Sequence, residues 1–157
     1  MATSTSSRAD ARPQGCTNLK LRQLARRVSQ RYDLELAKAG LKTTQYSLLS
    51  HVLKLGPIRP GDLAEVMTLD ASTLTRNLKP LIDAGWVELA AGPDGRSRSI
   101  TITEAGRAKR AEGQRHWRVA QDGINELMGM QRVIALHALL DESLAALSPI
   151  SSGESDE

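Results

Sequence analysis

Within one stretch, Asp70 to Ile102 (DASTLTRNLKPLIDAGWVELAAGPDGRSRSITI), the chain reads first as a short polar-faced helix and then as two strands. Ser72, Thr73, Thr75, Arg76, Asn77 and Lys79 fall within about two helical turns. These are residue types that bond phosphates and base edges. Trp86–Leu89 and Ser99–Ile102 alternate with period two, as half-buried strands do. The AGPDGRSR run between them carries turn chemistry in Pro93-Asp94-Gly95, and Arg96 and Arg98 stand just past the turn. A helix sized for the DNA major groove, beside a hairpin tipped with arginine, is the layout of a winged helix-turn-helix. Double-stranded DNA is the first partner it suggests.

Charge supports this only in part. The formal net charge is +3, with 21 Lys and Arg against 18 Asp and Glu. The acids are not evenly spread, because the last 17 residues hold five acids and no base. The rest of the chain is therefore at +8, which suits a polyanion without proving one. The single cysteine excludes an intrachain disulfide and every multi-cysteine metal site. No Ser/His/Asp set, paired-carboxylate site, phosphate loop or metal-ligand cluster emerges, and His51, His116 and His137 are scattered. These residues point away from an enzyme, a cofactor or a metal. No apolar run resembles a membrane span or a signal peptide, so the sequence reads as a soluble, cytoplasmic protein with no membrane partner.

The expected order is α-α-α-α-β-β-α-α, mainly helical with a small β-ribbon wing and room for a short extra strand near Ile58. Residues 1–15 are expected to be a disordered arm. Residues 16–43 hold a first helix whose Leu21, Leu24, Ala25, Val28 and Tyr32 form an apolar stripe, ended by Gly40. Residues 44–103 form the DNA-binding lobe. In it, Thr43 or Thr44 caps the second helix and Pro60 starts the third, which buries Leu63, Ala64 and Met67. Asp70 or Ser72 opens the fourth, which Gly85 closes. Residues 104–147 hold two more helices. The first is capped by Thr103 and expected to bury Ala105, Ala108, Trp117, Ala120, Ile124 and Leu127. The second carries Val133, Leu136, Leu140, Leu144 and Leu147 as one seam. Residues 148–157 read as an acidic flexible tail. The stripes of the first and last helices have nothing else in the chain large enough to cover them, which favours a two-fold dimer built from terminal helices. Pro80 is an anomaly inside a helix, calling for either a bend or a looser turn.

The segments LKTTQYSLLSHV and LGPIRPGDLAEVMTLDASTLTRNLKPLIDAGWVE and the wing DGRSRSITITEAG together resemble the MarR family of bacterial transcriptional regulators. The similarity covers about residues 17–147. It implies a homodimer on a palindromic operator, usually a repressor, released by a small aromatic or carboxylate effector or by oxidation. It also implies that Arg96 enters a minor groove, with Asp94 fixing its guanidinium through a bidentate pair.

By the same resemblance an effector lodges between the dimerisation helices and the DNA-binding lobe. An anionic aromatic there wants a cation and aromatic walls. Arg22 and Arg26 on the first helix and Tyr46 and His51 on the second are the candidates. His51 reads more as a satisfied interfacial histidine than as a ligand contact, and Trp117 more as core than as ligand wall. Lys20, Arg22, Arg26, Arg27 and Arg31 form a run with no acid from residue 17 to 31, a solvated face or a lure for an acidic ligand. Some relatives sense peroxide through one cysteine near the start of the first helix. Cys16 departs from that pattern, since it lies further upstream and Thr43 stands where those sensors carry a tyrosine. Two alternatives therefore stand beside the ligand-responsive regulator: a thiol-based oxidant sensor using Cys16, and a winged-helix protein-interaction module that does not bind DNA.

Overall fold

The computed structural model describes residues 12–92 and 94–147. Six helices and one hairpin follow in the order α1 (Thr17–Leu36), α2 (Thr43–Leu55), α3 (Pro60–Val66), α4 (Ala71–Asp83), β1 (Val87–Ala91), β2 (Arg98–Ile102), α5 (Glu104–Met128) and α6 (Met130–Ala146). A single 3₁₀ turn, Ala37–Ala39, follows α1 and is closed by Gly40 at φ 69°. The expected arm falls largely, and the acidic tail wholly, outside the described residues, as does Pro93. No helix among the described residues is long and apolar enough to cross a membrane.

Two helices open on a side-chain cap that local chemistry accounts for. Asp70 opens α4 by accepting from the Thr73 amide at 2.7 Å, and Thr103 opens α5 by accepting from the Gly106 amide at 3.0 Å. At α2 the cap is Lys42, not Thr43 or Thr44, and Gln45 Oε1 reaches back to the Lys42 amide at 2.9 Å. Thr43 is instead the first residue of the helix, where its amide and hydroxyl both donate to Asp33 Oδ1, at 2.8 and 2.6 Å, so Asp33 supplies the acceptor for that first amide. Helix α4 runs through Pro80 to Asp83 with the proline exposed, so the second half is helix and not a loose turn.

β1 and β2 pair antiparallel, with Val87 opposite Ile102 and Ala91 opposite Arg98. The extra strand expected near Ile58 exists as one bridge, in which Ile58 and Ile100 exchange backbone hydrogen bonds of 3.1 and 2.8 Å. The core sits in the lobe formed by α2, α3, α4 and the hairpin, where Leu48, Leu49, Val52, Leu63, Leu74, Leu81, Val87 and Ile100 are almost fully buried. Leu36 from the end of α1 joins them. Each such side chain contributes about 1.5–3 kcal/mol relative to exposure.

Helices α1 and α5 pack side by side outside this lobe. Of the α5 residues expected inside, Ala120 and Ile124 are buried, Trp117 is half-buried, and Ala105, Ala108 and Leu127 are exposed. The innermost α5 positions also include two glycines, Gly106 and Gly113. A Cβ on Gly106 would stand 1.9 Å from the Trp86 carbonyl oxygen, and one on Gly113 would stand 2.7 Å from Leu41 and 2.9 Å from Tyr46. Glycine is thus what lets α5 lie against the base of the hairpin and against α2.

Candidate nucleic-acid interface

Helix α4 divides into two faces. Leu74, Leu78 and Leu81 are buried, and Ser72, Thr75, Arg76 and Lys79 are exposed at spacings of three, one and three. That spacing puts the four on one stripe pointing away from the core. Arg76 is steadied by a 3.4 Å contact with the Thr73 hydroxyl, and Lys79 pairs with Asp83 at 2.8 Å. Lys79 is therefore an exposed ion pair of small energetic worth, open to exchange with another anion. Thr73 is partly buried and spends its amide and hydroxyl on Asp70, at 2.7 Å each. Ser72 also donates to Asp70, at 2.6 Å. Hydrogen bonds from Ser72 and Thr73 hold the Asp70 carboxyl well below the usual carboxylate range. Asn77 does not share the outward stripe. It is half-buried and faces a cleft behind the helix.

The wing turn is built by Asp94. Its Oδ1 accepts from the Ser97 hydroxyl at 2.6 Å, the Ser97 amide at 2.9 Å and the Arg96 amide at 3.1 Å. The carboxyl is lowered to about 2, chiefly by the Ser97 hydroxyl and amide. The expectation that Asp94 grips the Arg96 guanidinium gives way to this local arrangement, because amides two and three residues on are nearer than a side chain's far end. The result leaves Arg96 and Arg98 both exposed, without an ion pair among the described residues. A side chain on Gly92 would collide with Ser97, its Cβ 2.2 Å from the hydroxyl oxygen, so the turn is closed tightly.

A second feature lies above the lobe, between α1, α2 and α5. A cleft of about 430 Å³ is lined by Tyr32, Tyr46, Trp117, Ser50, Arg110 and Gln114, with Thr43 and Ser47 at its edge. The chain contains only two tryptophans, two tyrosines and no phenylalanine, and three of those four aromatics meet here. Trp117 stacks with both tyrosines at centroid distances of 6.3 Å. Arg110 lies 5.8 Å from the Tyr46 ring, donates from Nε to the Ser50 hydroxyl at 3.2 Å and from Nη1 to Gln114 at 2.7 Å. A guanidinium has five N–H donors, so three are left for a ligand.

Of the residues expected to bind an effector, the structure brings only Tyr46 to this cleft. Arg22 and Arg26 are exposed on α1, on the face that continues through Ser29 and Asp33 to the cleft behind α4. His51 is half-buried, with Nδ1 2.8 Å from the Ser47 carbonyl oxygen one turn earlier in its own helix. Arg110 carried no distinctive signal in a helix rich in arginine. Its spacing from Gly113, Gln114 and Trp117, at three, four and seven residues, puts all four on one face and was the available clue. Cys16 is exposed at the N-cap of α1 and makes no side-chain capping bond. Among the described residues no three His, Cys, Asp or Glu side chains cluster as a metal site would require.

Comparison with known proteins gives one consistent answer. The sequence pattern of the MarR family matches residues 39–97. An uncharacterised HTH-type transcriptional regulator of Bacillus subtilis, YwoH, is 28% identical over 93 residues, 59% of this chain and 68% of the relative. The fold is similar to a probable transcriptional regulator from Pseudomonas aeruginosa at a TM-score of 0.76 and 25% identity, covering 85% of this chain and all of that one. It is also similar to the M. tuberculosis regulator MosR in complex with DNA, at a TM-score of 0.68 and 31% identity over 82% of this chain and 98% of that one.

Proposed function

This chain belongs to the MarR family of winged-helix transcriptional regulators, DNA-binding proteins and not enzymes, and from that premise we propose that it is a ligand-responsive homodimeric repressor. The observation that carries the DNA-reading part is the pairing, on one lobe, of the outward stripe of α4 with an exposed Arg96 at the wing turn. The stripe fits a major groove and presents Ser72, Thr75, Arg76 and Lys79 to bases and phosphates. Arg96 then reaches the adjacent minor groove, where a narrow A·T-rich segment concentrates negative potential. Thr73, Asn77 and Asp94 support these residues from behind, and Arg98 faces phosphate.

A second copy completes the reader. Met130, Ile134, Leu139, Leu144 and Leu147 on or beside α6 are 54–78% exposed, and Leu19 and Leu21 on α1 are 52% and 46% exposed. Between α1 and α6 runs a groove of about 310 Å³ walled by Leu21, Leu24, Val28, Leu136 and Leu140. An apolar surface this continuous marks an interface, and helices from a two-fold mate match it. Two readers held by such a dimer address two half-sites of a palindromic operator about one DNA turn apart. The site of action is the cytoplasm, where bacterial DNA lies.

The effector is a small aromatic carboxylate, held in the α1–α2–α5 cleft with its anion on Arg110 and its ring against Tyr46 and Trp117. It releases DNA by binding better to a dimer whose reader spacing no longer fits successive grooves. The test is fluorescence anisotropy on a duplex from the protein's own promoter, with aromatic acids first ranked by thermal shift. An acid that raises the melting temperature is expected to weaken duplex binding. Stabilisation by such acids with duplex affinity unchanged would contradict the reading.

A further inference from the structure

The two hydroxyls on the outward stripe of α4 have a fixed polarity. Ser72 Oγ donates to Asp70 Oδ1 at 2.6 Å, and Thr75 Oγ1 donates to the Ala71 carbonyl oxygen one turn earlier at 2.9 Å. Carboxylate and carbonyl oxygens only accept, so each hydroxyl turns its single proton towards the protein and offers lone pairs to a partner. The same sense runs through the neighbouring bonds. Arg76 Nη2 donates to Thr73 Oγ1 at 3.4 Å, and Thr73 Oγ1 donates to Asp70 Oδ2 at 2.7 Å. Asp70 is the root of this polarity. Its carboxyl is held well below the usual carboxylate range, first by the Ser72 hydroxyl, so it stays an anion and the Ser72 bond is charge-assisted. Ser72 and Thr75 are both exposed, with nothing but those lone pairs left to present.

We propose that Ser72 and Thr75 are specificity-determining acceptors that read the exocyclic amino groups of bases and do not hold phosphate. This rests on the DNA-reading function above and names the base chemistry it selects. In the major groove the donors are N6–H₂ of adenine and N4–H₂ of cytosine, whereas guanine O6 and thymine O4 accept. Phosphate oxygens also accept, so a lone pair set against phosphate, guanine O6 or thymine O4 is repelled. The Asp70 anion behind Ser72 strengthens both the attraction and the repulsion. Both residues lie near the start of α4, the part of a recognition helix that meets base edges. They are three residues apart, about 4.5 Å along the axis, a little over one base step of about 3.4 Å. The reader therefore selects adenine or cytosine at two neighbouring base pairs of each half-site. Arg76 and Lys79, which carry donors alone, are left for guanine and phosphate.

The experiment selects duplexes from a random-sequence pool with the wild type, Ser72→Ala and the isosteric Thr75→Val. The wild type is expected to enrich adenine or cytosine at two neighbouring positions, with Ser72→Ala relaxing one of them and Thr75→Val the other. In the selected duplex, purine in place of that adenine, or 2-pyrimidinone in place of that cytosine, removes only the amino group. Fluorescence anisotropy is expected to show a loss of about three- to tenfold for the wild type, the worth of one hydrogen bond. The variant lacking the matching hydroxyl should lose much less, which isolates the pair. A variant that weakens all sequences alike with its base preference unchanged would overturn the proposal and leave the DNA reader intact. So would a wild type indifferent to the amino-free bases, or one that enriches neither adenine nor cytosine there. Failure of the wild type to bind duplex at all would overturn the DNA reader and this proposal together.

Discussion

Replacing Gly106 by alanine tests how rigidly the wing is joined to the long helix α5. The added Cβ would fall 1.9 Å from the Trp86 carbonyl oxygen and 2.8 Å from Ile102 Cγ1. Ordinary contact needs about 3.4 Å, so some 1.5 Å of displacement is demanded, and one of the colliding groups is backbone that no rotamer can move. The Trp86 carbonyl also accepts from the Thr103 amide at 3.0 Å, and the Thr103 hydroxyl donates to the Gly85 carbonyl at 2.6 Å. Relief therefore means parting α5 from the hairpin and straining its own cap. Overpacking of this kind costs about 1–3 kcal/mol or more, offset by about 1 kcal/mol of helix propensity. Because the collision is with backbone, the upper end applies and the net loss is about 2 kcal/mol, or about 4–8 °C in Tm at this chain length. Differential scanning calorimetry reads it, with Gly61→Ala as control, since that Cβ would meet nothing within 4 Å. Gly106→Ala at or above the wild-type Tm would refute the claim that this glycine is the joint.

Other outcomes follow from the same geometry. Leu144→Asp places a carboxylate at a site 67% exposed in the single chain. It should spare the fold, give a monomer in light scattering and cost at least about tenfold in duplex affinity, because an apolar interface does not accept an unpaired charge. Asp94, lowered to about 2 from 3.8, stabilises the wing turn fully above the ordinary carboxylate range and loses that contribution only as pH falls through its folded value. A carbon-detected titration of Asp94 should therefore show a midpoint well below 3.8, and a midpoint at the ordinary value would contradict the hydrogen-bonded turn. Cys16→Ser should leave duplex affinity and effector release unchanged. Peroxide-dependent loss of binding that disappears in this variant would favour the thiol mechanism instead.

Wherever one local rule acted alone, the sequence was sufficient. Asp70 and Thr103 cap their helices, Gly40 closes the turn after α1 at φ 69°, and Val87 to Ile102 alternate as strands because one face of the hairpin is buried. The differences arise where a distant residue competes. Asp33, from ten positions away, supplies the acceptor for the hydroxyl and amide of Thr43, which is the first residue of α2 with the cap at Lys42. Helical periodicity sends Ala105 and Ala108 inward, but α5 approaches Trp86 and Leu41 so closely that glycines occupy the contact and the alanines turn outward. In the site, the outward stripe of α4 follows from spacing. The aromatic cleft does not, since Tyr32, Tyr46 and Trp117 come from three helices and meet only in the fold.

The measurement closest to the central claim is the salt dependence of duplex binding by wild type, Arg76→Ala and Arg96→Ala. Phosphate contacts release counterions, so log affinity should fall linearly with log salt for the wild type. Arg96→Ala should weaken binding and lower the slope by about 1, and Arg76→Ala should do the same if it holds phosphate or relax base preference if it reads a base. Wild-type affinity that is independent of salt, or Arg96→Ala binding the operator as tightly and with the same slope as wild type, would contradict an α4-and-wing reader.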